Sequence, residues 1–92
     1  MAQAPTKLEM LSFVRYVRSF IPGRVRVRHP GLTKAHVARE AKERLEVQDG
    51  VKSVEINVEA GSALILYDPK VLSQDELIAR GVEWARWLKT VQ

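Results

Sequence analysis

Val51-Lys52-Ser53-Val54-Glu55-Ile56-Asn57-Val58 and Ser62-Ala63-Leu64-Ile65-Leu66-Tyr67, joined through Ala60-Gly61, decide the fold of this 92-residue chain. In the first stretch Val54, Ile56 and Val58 alternate with Glu55 and Asn57, the period of a strand with one covered face. Ala60-Gly61 is a hairpin turn, and so short a connection makes the second stretch antiparallel to the first. With Ala63, Ile65 and Tyr67 turned inward, Leu64 and Leu66 fall on the opposite face.

Upstream, Arg24-Val25-Arg26-Val27-Arg28 alternates strictly. Val25 and Val27 face a core, and three arginines share the other side. His29, Pro30 and Gly31 end that strand. Thr33 is placed to cap a helix running to about Val47, with Ala38, Ala41 and Leu45 inward, and Asp49-Gly50 turns the chain out of it. Downstream, Asp68-Pro69 closes the hairpin. Ser73 and Glu76 form a capping box for a last helix whose buried stripe is Leu77, Gly81, Trp84, Ala85 and Leu88.

The order is βαββα, preceded by one extra segment. Residues 1–6 read as a disordered tail, 7–21 as a helix or a strand packing on the sheet or on a partner, and 22–92 as the domain itself. From Lys7 to Phe20 the apolar positions Leu8, Leu11, Val14 and Val17 suit a broad-faced helix, while Val14, Tyr16 and Phe20 keep a strand open; Pro22-Gly23 interrupts either. Two helices on one face of an antiparallel sheet make an α+β sandwich, and the right-handed crossover rule favours the split βαβ arrangement.

Composition narrows the function. The chain has no cysteine, which excludes disulfides, thiolate metal sites and cysteine nucleophiles. Fifteen Lys and Arg against eleven Asp and Glu give a net charge of +4, a mild preference for acidic partners. No apolar run approaches the roughly 18–20 residues of a membrane span and no signal peptide is evident, so a cytoplasmic location is expected. No Ser-His-acid order, phosphate loop or paired acids can be assembled, so no enzyme activity is expected. The outward strand positions are Arg, Glu, Asn and Leu rather than aromatic platforms, which makes nucleic acid an unfavoured partner.

From Gly23 to about Ala85, and most specifically in Asp49-Gly50-Val51-Lys52-Ser53-Val54-Glu55-Ile56-Asn57 and Tyr67-Asp68-Pro69, the sequence resembles the heavy-metal-associated domain. The resemblance implies a ferredoxin-like βαββαβ fold. It also implies a C-x-x-C metal loop after the first strand, but that stretch reads Gly31-Leu32-Thr33-Lys34-Ala35-His36-Val37. Lys34 and Val37 stand at the cysteine positions, and neither has a lone pair to give a metal at neutral pH. The form is degenerate, similar to N-terminal domains of some metal-pumping P-type ATPases and to small stand-alone companions of metal-handling systems. The family's fourth strand also has no counterpart after the last helix. The edge of the Arg24–Arg28 strand must then be filled by the segment before Pro22 or by a second chain.

Two functional readings follow. The leading one is a non-enzymatic interaction and self-assembly module in a metal-homeostasis setting, with no cofactor. It would be a homo-oligomer or the companion of a metal-transport or metal-storage protein, acting through Arg24, Arg26, Arg28, Leu64, Leu66 and Trp87. Burying each outward leucine is worth roughly 1.5–3 kcal/mol, so the 7–20 segment or a partner is expected to cover them. The alternative is metal or anion binding, iron included, through His29, His36 and the arginine ladder. A divalent metal would need a third ligand such as Glu40.

Overall fold

The structure, a computed structural model, describes residues 6–91. The tail expected at 1–6 lies outside the described residues except for Thr6, which has a structural task. Its hydroxyl accepts from the Glu9 N–H while the Glu9 carboxylate accepts from the Thr6 N–H, a complete capping box that starts α1 (Lys7–Val14). The helix ends at Arg15, and after Tyr16 the chain enters β1 (Val17–Ile21). The extra segment is therefore helix and strand in succession.

Gly23, at φ 89°, turns the chain into β2 (Arg24–Arg28). A single 3-10 turn, Pro30–Thr33, leads into α2 (Ala35–Glu46), then β3 (Val51–Asn57), β4 (Ser62–Tyr67) and α3 (Gln74–Val91). Thr33 does not cap α2. Its hydroxyl donates to the Pro30 carbonyl inside the 3-10 turn, and Lys34 occupies the N-cap without a side-chain bond. Ser73 and Glu76 do cap α3: the Ser73 hydroxyl accepts from the Glu76 N–H, and the Glu76 carboxylate accepts from the Ser73 N–H and hydroxyl.

The sheet order is β1-β2-β4-β3, antiparallel throughout. β1 pairs with the outer edge of β2 through Val17↔Val27, Ser19↔Arg26, Phe20↔Val25 and Ile21↔Arg24, with a bulge between Val17 and Ser19. The place that a fourth strand after α3 would take is thus filled from the N-terminal side of the same chain. The edge of β2 is paired in cis, and the outer edge of the sheet on this side moves to β1.

All three helices lie on one face of the sheet. Val25, Val27, Val54, Ala63, Ile65 and Tyr67 meet Val37, Ala41 and Leu45 of α2 and Leu77, Val82, Trp84 and Leu88 of α3 in one core. α1 packs mainly on α3, and its Phe13 enters the core beside Val25, Val27 and Ile65. Gly81 makes this possible, because a Cβ there would lie 2.3 Å from the Phe13 ring, so the missing side chain is the seat for Phe13. An ion pair between Glu9 and Arg86 fastens the same two helices, and the guanidinium beside it lowers the Glu9 carboxyl to about 2. Trp84 is buried with its indole N–H donating to the Ala41 carbonyl, and Trp87 is half-buried with the Arg44 guanidinium 4.4 Å above its ring.

Candidate functional site

The loop in which the resemblance places a metal is a closed structural turn here. The His29 side chain caps it: Nδ1 accepts from the Gly31 N–H at 3.0 Å. His29 is 2% exposed, and its ring lies against Tyr16 with centroids 4.6 Å apart. An imidazole whose Nδ1 accepts must, when neutral, carry its proton on Nε2. Burial, and secondarily the charge of Lys89, holds its pKa below the ordinary 6.5, so the neutral form prevails at neutral pH. Gly61 backs the turn at φ 66°, with its carbonyl accepting from the His29 N–H; a Cβ on Gly61 would approach Thr33 to 2.9 Å.

The two histidines stand in different surroundings. His29 serves the fold, His36 is exposed on the first turn of α2, and no three of His, Cys, Asp and Glu come together to hold an ion among the described residues. Glu40, the acid considered as a third ligand, instead pairs with Arg44 at 3.6 Å. Of the two positions that the resemblance assigns to thiolates, Lys34 is exposed and Val37 is a core residue at 1% exposure. The second thiolate position has become packing.

The sheet face away from the helices carries the sequence-predicted interaction residues. Cross-strand partners share a face, so the register puts Arg24 beside Leu66, Arg26 beside Leu64 and Arg28 beside Ser62, with Ser53, Glu55 and Asn57 on the far side of β4. Ile21 and Ser19 extend these rows on β1. Leu66 is 37% exposed, Leu64 half-buried and Ile21 exposed. Of the two covers expected for these leucines, residues 7–20 or a partner, the first is not realised: that segment supplies the edge strand and a helix on the opposite side of the sheet. Trp87 stands apart from this face, on α3 under Arg44.

Two features escaped the sequence reading. Thr6-Lys7-Leu8-Glu9 is a capping-box spacing and was legible as one. The outward side of α1, where Leu8, Leu11 and Val14 are exposed, became visible only once Met10 and Phe13 were placed against α3.

Comparison with family models matches residues 10–85 to heavy metal associated domain 2. The chain belongs to that family. Comparison with curated proteins and with solved structures gave no significant match. Membership gives this heavy-metal-associated domain a metal-related setting, and its cysteine-free loop makes it a degenerate form. No helix among the described residues is long and apolar enough to cross a membrane.

Proposed function

We propose that this domain is a non-enzymatic protein-interaction module in a metal-handling setting, and that its open sheet face docks an acidic, partly apolar segment of a partner protein. The observation that carries the reading is the row of half-buried Leu64 and exposed Leu66 beside Arg26 and Arg24. Arginine stems shield apolar surface while their guanidinium groups await carboxylates. The charge balance selects the occupant. Three arginines against Glu55 make the face positive, so a second copy would bring like charge to like, whereas alternating acidic and apolar side chains would satisfy both components.

Self-association has a different place on the molecule. Leu8, Leu11 and Val14 of α1 form an exposed apolar strip, with Leu8 77% exposed, and that surface suits a second copy better than the arginine-lined sheet face does.

Both readings are tested by amide shift mapping with a synthetic peptide of alternating Glu and Leu, alongside light scattering over a concentration series. The peptide is expected to perturb β2 and β4, and Arg24→Glu with Arg26→Glu to abolish that response while leaving the fold intact. A Leu8→Gln, Leu11→Gln variant should still bind peptide but lose any concentration-dependent mass increase. Peptide shifts that are absent, or unchanged by charge reversal, would overturn the docking face.

A further inference from the structure

We propose that a basin at the end of β2 binds a dianionic oxyanion, either free phosphate or the phosphoryl group of a small molecule. The basin has a volume of about 460 Å³ and is lined by Arg15, Arg18 and Arg28 with Tyr16, His29 and Glu59. It shares Arg28 with the sheet face, takes its other two arginines from α1 and β1, and does not depend on the docking reading. Its size falls in the range of roughly 300–1,000 Å³ typical of small-molecule sites.

Three arginines reach it from three places in the chain. Arg15 is the C-cap of α1, Arg18 sits at the bulge of β1, and Arg28 is the last residue of β2. Bulges redirect side chains, and this one falls where β1 borders the basin. Arg28 is held in place, because its Nε donates to the Ala60 carbonyl at 3.0 Å and the terminal nitrogens keep their own donors. The floor is equally fixed, with Tyr16 packed on His29 and its carbonyl accepting from the Arg28 N–H at 2.8 Å.

Charge at the basin is not cancelled internally. Among the described residues the ion pairs are Arg44 with Glu40 and Arg86 with Glu9, and neither involves a basin arginine. Glu59 is the single acid of the lining, and three guanidinium groups leave an excess of positive charge. Guanidinium forks bind tetrahedral oxyanions by paired, charge-assisted hydrogen bonds, and several converging on one space favour a doubly charged group over a singly charged one. The same charge opposes a metal cation. The end of the sheet at which the family resemblance would seat a cation is, in this chain, built for the opposite sign.

The test is a titration of the full chain, followed by backbone amide and arginine Nε resonances, with inorganic phosphate and separately with glycerol phosphate, ionic strength being held constant with chloride. Saturable shifts are expected at residues 15–18, 28–31 and 59–61. Arg15→Ala with Arg18→Ala, both exposed and remote from the core, should weaken binding about tenfold or more, while Arg39→Ala with Lys42→Ala on α2 should leave it unchanged. Tighter binding of glycerol phosphate would identify the ligand as an organic phosphate, and equal binding as the free oxyanion. Shifts that never saturate, or an equal loss in the α2 control, would overturn the site.

Discussion

His29 shows how a residue with ligand chemistry is taken up by structure. Its Nδ1 satisfies the Gly31 N–H, which lies in a buried turn where an orphaned donor costs about 1–3 kcal/mol. His29→Ala is expected to destabilise the domain by about that amount in urea unfolding. His29→Asn should recover part of the loss, because its side-chain oxygen can also accept from the turn. The same imidazole makes stability depend on pH. Its folded pKa lies below 6.5 because the charged form would be desolvated and repelled by Lys89. The unfolded state therefore protonates first as pH falls. The contribution is complete above about 6.5 and declines as pH drops from there through the folded value. A series of unfolding curves between neutral and mildly acidic pH should show that decline in the wild type and lack the His29 contribution in His29→Asn. The positions read as functional divide accordingly: His29 and Val37 are buried structural residues, while Arg24, Arg26 and Leu66 stay accessible. Residue type alone does not distinguish the two groups, because burial is a property of the neighbours.

At the scale of elements, the N-terminal segment is the instructive case. Its apolar spacing is compatible with a helix as far as Val17 and with a strand from Val14 onward, and both halves of that ambiguity are realised. Local pattern could not place the break, because the turn at Arg15-Tyr16 is set by two remote partners: the Gly81 notch that receives Phe13 and the β2 edge that receives Val17. Gly81→Ala isolates the first of these. Alanine improves intrinsic helix propensity by about 1 kcal/mol, but its methyl group would occupy the space of the Phe13 ring. Net destabilisation of about 1–3 kcal/mol is expected, with faster hydrogen exchange confined to α1 and its contact on α3. A stabilised variant would show that Phe13 has another seat. The regular elements behaved differently. The alternation of β2, of Val54 to Asn57 in β3 and of β4 specified their inward faces without help, since a one-residue slip in register would put their inward residues into water.

For the molecule as a whole, the ferredoxin-like sandwich is completed from its N-terminal side, with β1 standing beside β2. That closure removes one reason for a second chain but leaves two uncovered apolar surfaces, the Leu64–Leu66 face and the outer side of α1. The loop in which the resemblance places a metal carries no thiolate. Excess zinc, and equally EDTA, is therefore expected to leave Tm unchanged in thermal unfolding, because no three-ligand set occurs among the described residues. A rise of several degrees with zinc would require ligands drawn from more than one copy.

The sequence by itself determined the βαββα order, the inward faces of the strands, the α3 capping box and the loss of thiolate chemistry, because each depends on residue identity or on a period of a few residues. Only the tertiary structure decided that Lys7 to Phe20 divides into helix and edge strand, that His29 is buried, that the leucine face stays open, and that Arg15, Arg18 and Arg28 border one basin. Those outcomes depend on which surfaces remain unpaired after the sheet and helices have assembled. Pairings such as Phe13 with Gly81 and Arg28 with Ala60 join residues far apart in the chain, and no local periodicity records them.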